Sequence, residues 1–192
     1  MLKDIILTTL LLLGKENELV EVETKEESEY SPATKSLISQ LIKIVNLVAS
    51  DITRNVVRLT FCETLTSDEN CEIKYSSLSK KVIGIKSVTE GNKDATFNLY
   101  PEYIKVGKPN TKYKITYNYE NQKCKSIDDD IVFPVCVTCG IVAYGVASEY
   151  CSMNLLYDEC TMWEQKYVRA LENIMPKTGE RKMARWWNLW RE

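Results

Sequence analysis

A chain of 192 residues, 44% hydrophobic and 27% charged, fits one globular domain with its own core, or one domain carrying an extra lobe. Twenty-five basic against 27 acidic residues leave a net charge of −2, so no overall field draws the chain to nucleic acid. Histidine is absent, which removes Ser-His-Asp and Cys-His nucleophile systems, His-ligated zinc and imidazole proton shuttling together, so a non-enzymatic role is the starting expectation.

The chain opens on an apolar run, Leu10 to Leu13 being four consecutive leucines before Gly14. Asp4 interrupts the basic end, no small-x-small cleavage pattern follows, and the run falls short of the roughly 20 residues of a membrane span. A short buried helix closed by Gly14 is expected, with no membrane partner. Residues 15–29 carry Glu16, Glu18, Glu21, Glu23, Glu26, Glu27 and Glu29 against Lys15 and Lys25, a local charge of −5. The plain expectation is a solvated loop or helix face. The sharper one is an acidic face turned to a basic partner or to the lumen of a DNA conduit.

Ser31-Pro32 reads as an N-cap with proline at the first helical position. Leu37, Leu41, Ile44, Val48, Ile52 and Val56 then recur at spacings of three and four, predicting one helix from about residue 32 to about residue 60. From Ser67 the composition turns to Val, Ile, Thr and Tyr with turn residues at intervals, and strands are expected at 71–75, 81–88, 95–100 and 103–106. The clearest is 111–120, where Tyr113, Ile115, Tyr117 and Tyr119 alternate with polar residues. Asp128, Asp129 and Asp130 read as helix-start charges before a helix over 132–153. Within that helix Gly140 and Gly145 are small enough to admit a second helix closely. A further helix over 155–175, stopped by Pro176, completes an antiparallel pair, with Leu156, Met162 or Trp163, Tyr167 and Leu171 inward.

The expected fold is therefore mainly α with a β insertion: a bundle of about four helices, a small antiparallel sheet and an extended C-terminal tail. Its divisions are residues 1–66 for the N-terminal helices, 67–125 for the insertion, 126–175 for the helical hairpin and 176–192 for the tail.

Chemistry-bearing patterns are few. The seven cysteines, Cys62, Cys71, Cys124, Cys136, Cys139, Cys151 and Cys160, are read as reduced, intracellular and mostly core. Cys136-Val-Thr-Cys139 lacks the second pair a zinc site needs and the strand pattern that leads into a thioredoxin-type motif, though a thiol or zinc protein stays open as a rival. The three aspartates lack the remaining spacing of a calcium loop, and no glycine pattern cradles a phosphate. No catalytic residue, metal or cofactor is expected.

The tail is different. Three of the four tryptophans lie in the last seven residues, and from residue 177 onward Lys177, Arg181, Lys182, Arg185 and Arg191 against Glu180 and Glu192 give +3. Such a segment either folds back on its own core or docks into another chain, since Trp and Arg are enriched at binding hot spots. Arg185, Trp186, Trp187 and Trp190 are the expected docking anchors; nucleic-acid contact by the same set is the weaker reading.

The order of parts resembles the head-to-tail adaptor (neck, or connector) proteins of tailed bacteriophages, over nearly the whole chain. The resemblance rests on Leu10 to Asn17, on Leu41 to Asn46, on the β-rich insertion and most of all on Ile141 to Tyr150, Asn154 to Glu159, Trp163 to Tyr167 and Leu171. The insertion and the Lys/Ile/Asn/Tyr-rich composition suggest a short-tailed, crAss-like phage. The resemblance implies a structural virion protein, made in the host cytoplasm and placed at the neck. It would self-associate into a ring of about twelve copies, bind the portal protein and downstream tail or neck proteins, and enclose double-stranded DNA without reading it. A lower neck ring or tail-completion protein, and an intracellular binding module unrelated to virions, remain the alternatives.

Overall fold

The long helix starts where the cap places it. In the computed structural model, which describes residues 1–174, the Ser31 hydroxyl accepts the Thr34 N–H at 3.2 Å and Pro32 opens helix α3, Pro32–Asp51. Its stripe buries Ile38, Leu41, Ile42, Val45, Val48 and Ala49. Ahead of it lie α1, Leu2–Leu12, and α2, Glu16–Thr24. Gly14 closes α1 at φ +65°, and the Lys15 N–H reaches back to the Leu10 carbonyl at 3.0 Å, a left-handed C-terminal cap. By length and composition Pro32–Val56 is apolar enough to cross a bilayer, but half of that apolar window is buried inside the fold.

α3 does not run to residue 60. It loosens into a single π-helical turn over Ile52–Val56, with the Val57 N–H bonded to the Ile52 carbonyl at 2.9 Å, and the chain enters strand β1, Leu59–Thr66. The reason is tertiary: all eight residues of β1 pair antiparallel with a strand some fifty residues on, from Leu59 opposite Tyr119 to Thr66 opposite Lys112. That partner, β7 (Lys112–Tyr119), is the centre of a four-stranded sheet with β3 (Val82–Glu90) on its other side and β4 (Lys93–Asp94) beyond, in the order β1-β7-β3-β4. β2 (Glu72–Lys74), β5 (Phe97–Leu99) and β6 (Tyr103–Val106) form a second sheet, order β2-β6-β5. The period-two reading of β7 corresponds to burial, with Tyr113, Ile115 and Tyr117 sealed between the sheets alongside Ile73, Val88 and Ile104.

The expected second helical half also starts later than the sequence reading places it. Residues 121–138 form an irregular strap rather than a helix. Asp129 accepts backbone N–H groups of Lys125 and Ser126 at 2.5 and 3.0 Å, so it closes a turn. Pro134 and the β-branched residues around it disfavour a helix until Thr138, whose extended backbone caps α4, Cys139–Met153. α5, Tyr157–Ile174, returns against it.

A bundle of about four helices with one small sheet is thus not the architecture. Among the described residues there are five α-helices and two antiparallel sheets, a mixed α and β fold. α4 is its axis, packed by α1, α3 and α5, which is why its buried residues surround the helix instead of forming a stripe. The strap sends Cys124, Ile127, Ile131 and Val137 into the helical core.

Candidate docking surfaces

α4 and α5 meet at a turn that leaves apolar side chains in solvent. α4 ends in the same cap as α1: the Leu155 N–H bonds the Ser152 carbonyl at 3.2 Å and the Leu156 N–H bonds the Cys151 carbonyl at 2.9 Å. At the position Gly14 occupies in α1, however, stands Leu155, at φ +60°. A branched side chain in the left-handed region is strained, and this one is also 68% exposed. Met153, Leu156 and Tyr157 beside it are exposed as well, so the turn presents four consecutive-helix-end apolar groups. Leu156, expected inward, faces outward; of the alternatives Met162 and Trp163 it is Trp163 that is buried, its ring stacked on Tyr144 at 5.9 Å, and Leu171 is buried as expected.

Lower on the same helices lies a groove of about 350 Å³ between α3, α4 and α5. Its floor is set by Gly145, where a Cβ would come within 2.9 Å of both Val48 Cγ1 and Tyr167 Cε2, so any larger residue would push the three elements apart. Gly140 has no such neighbour; the nearest atom to an added Cβ is Thr138 Oγ1 at 3.9 Å, so it is not a close-packing position. Leu47 and Val168 form exposed apolar walls, and the carboxylates of Asp51, Glu149 and Glu164 ring the opening. The Tyr167 hydroxyl is buried there with no hydrogen-bond partner among the described residues. Burial first, then Asp51 and Glu149, push its ionisation far upward, so it stays a neutral donor.

The acidic residues divide. Glu16, Glu23, Glu26, Glu27 and Glu29 are exposed and Glu18 half-buried on or after α2. Glu21 belongs to none of these faces. It accepts the Ser31 N–H at 2.8 Å and the Ser31 hydroxyl at 3.0 Å, the Thr34 hydroxyl, and Lys25 Nζ at 3.1 Å, tying α2 to the cap of α3. Those donors, Thr34 first, hold its carboxyl down at about 2. Glu27 spends one oxygen on the Ser126 hydroxyl at 2.9 Å.

A second carboxylate, unremarked in the sequence, joins the helices to the sheets. Glu120 follows β7, is 9% exposed, and meets Lys81 Nζ at 2.5 Å, Arg54 Nη2 at 2.9 Å and the Ser50 hydroxyl at 2.9 Å. The Lys81 hydrogen bond above all depresses it to about 2. Asn46 adds a two-way amide clamp on Cys124, at 2.8 and 2.9 Å.

On the β lobe, an open groove of about 560 Å³ runs between the first half of β3 and the β5–β6 turn, lined by Lys80, Ile83, Ile85, Leu99 and Tyr100. The cysteines are less uniformly core than expected: Cys124 and Cys151 are buried, Cys71, Cys139 and Cys160 half-buried, Cys62 and Cys136 exposed. No group of three or more metal-ligating side chains converges among the described residues. Arg185, Trp186, Trp187 and Trp190 lie outside the described residues, so their expected docking role meets no geometry here. No protein-family model matches the chain, and no curated protein matches it.

Proposed function

We propose that this protein is a joint: a structural virion component of the head-to-tail adaptor kind, assembling as a ring between portal and tail around the DNA channel and performing no reaction. The observation that carries the reading is Leu155. An exposed leucine held at positive φ, where glycine would be strain-free, is unfavourable twice for an isolated subunit and is offset when another chain covers it. Met153, Leu156 and Tyr157 extend that uncovered tip, and the Trp/Arg composition of 177–192 supplies a second element suited to gripping a polypeptide. A closed ring needs such unlike, mutually complementary patches on each copy. The phage-specific part of the proposal rests on the resemblance of the sequence.

Electron microscopy of the chain mixed with a portal assembly tests it. The full chain should decorate the portal with a rotationally symmetric ring of about twelve copies, and the chain lacking 177–192 should leave the portal bare while keeping its far-UV circular dichroism. A truncated chain that still decorates the portal, or a full chain that never does, sinks the reading. An intracellular binding module acting through its sheet is the second reading, favoured by the cationic, apolar groove beside β3. Recognition of a partner that is lost on Ile83→Asp and untouched by removal of the tail would support it instead.

A further inference from the structure

The groove between α3, α4 and α5 has the opposite character to the tail. Its walls are apolar at Leu47 and Val168, its rim carries Asp51, Glu149 and Glu164, and among the described residues no lysine or arginine lines it. Tyr167 lines it, with its hydroxyl sealed and without an acceptor among the described residues. A fitting occupant brings apolar rings and cationic side chains. Residues 177–192 are such a segment: three indoles, five cations and two carboxylates.

Reach permits an occupant that comes from a neighbouring copy. Ile174 is the last described residue of α5. The groove's α5 residues, Glu164 to Val168, lie within about 15 Å of that end along the helix. The indoles begin twelve residues after Ile174, a length that spans up to about 40 Å when extended. That is far more than a return to the same groove requires, and enough to cross to an adjacent subunit.

We infer that this groove is the receptor for the Trp/Arg tail of the next copy, with the indoles against Leu47 and Val168 and arginine on the Glu149–Glu164 rim. This deepens the joint reading and rests on it. A tail on one face and its receptor on another make a head-to-tail contact, the kind that propagates around a ring. The contact is charge-assisted, so its strength falls as salt rises.

Two full-length variants, each lacking one half of the contact, test it. Glu149→Lys with Glu164→Lys spoils the receptor at two exposed positions that bear on no core contact. Arg185→Glu with Trp187→Ser and Trp190→Ser spoils the tail. Sedimentation of the wild-type chain should show concentration-dependent oligomers, and each variant alone should associate about tenfold or more weakly. Mixed, the two should pair one-to-one and stop, because only one functional tail and one functional groove remain. A wild-type chain that stays monomeric at several hundred micromolar, or a mixture that does not pair, overturns the inference. So do oligomers indifferent to both variants. In that last case the groove assignment fails while the joint reading stands; a tail variant that still decorates a portal, or a wild type that never does, sinks the joint reading separately.

Discussion

Leu155 and Gly14 occupy the same position in the same helix-ending motif, and the comparison isolates what a side chain costs there. Both sit near φ +60°, both follow a helix end, and both caps close with a bond back to the carbonyl five residues earlier. Glycine adopts that backbone freely, whereas a leucine loses about 1 kcal/mol or more to the contact of its Cβ with the backbone. Leu155→Gly should therefore raise stability by about 1 kcal/mol, read as a Tm increase of a few degrees, and at the same time weaken assembly. A variant that is stabilised and assembles as well as wild type would remove the case for a docking role of Leu155. Gly145 poses the reverse case. Its missing side chain leaves only contact distance between α4, Val48 and Tyr167, so Gly145→Ala should cost about 1–3 kcal/mol by overpacking, measured by urea denaturation, and should narrow the groove between α3, α4 and α5. Neither position announces itself equally in the sequence. Gly145 stands out as a glycine inside an apolar helix, but nothing in Asn154-Leu-Leu-Tyr distinguishes a leucine at positive φ from its neighbours.

At the scale of elements, the sequence shows most where a pattern repeats and least where a distant partner decides. The three-and-four stripe of α3 and the alternation of β7 each report burial directly, because one face of each element is sealed. The end of α3 is different. Ile52, Val56 and Val57 continue the helical stripe, yet Leu59–Thr66 is drawn into the sheet by a strand some fifty residues away, and no local window contains that information. The strap over 121–138 misleads for a similar reason: its apolar residues do reach the core, but from turns closed by Asp129 and interrupted by Pro134. Glu120 holds this arrangement together, and it is legible only once Ser50, Arg54 and Lys81 are seen to converge on it. Glu120→Gln leaves the shape and removes the charge. Charge-assisted hydrogen bonds to a carboxylate contribute about 1.5–3 kcal/mol, and with Arg54 and Lys81 largely solvated the loss should fall near the lower figure.

For the whole molecule, the same carboxylate sets how two cores behave as one. The helical core and the core between the sheets are separate clusters of buried side chains, linked by the α3–β1 passage, the Asn46–Cys124 clamp and the Glu120 ion pairs. Glu120 and Glu21 are both depressed to about 2 in the folded state from an ordinary value of 4.5. A carboxyl lowered by folding stabilises the native state fully above its unfolded value and loses that contribution as pH falls toward the folded one. Stability should therefore be level above about pH 5 and decline between about pH 4.5 and 2 as the native state takes up less acid than the unfolded chain. Because Glu120 spans the junction, the decline should also uncouple the cores. Thermal unfolding at pH 7 should be a single transition by both far-UV circular dichroism and tyrosine fluorescence, and at pH 3 the two signals should separate. Glu120→Gln should produce that separation already at neutral pH, and coincident transitions in the variant would move the coupling to the Asn46 clamp and the strand passage. In the proposed joint such coupling would have a use. The helical part carries the α4–α5 tip and the groove between α3, α4 and α5, and a load applied to one core would reach the other through a few named contacts instead of a shared interior.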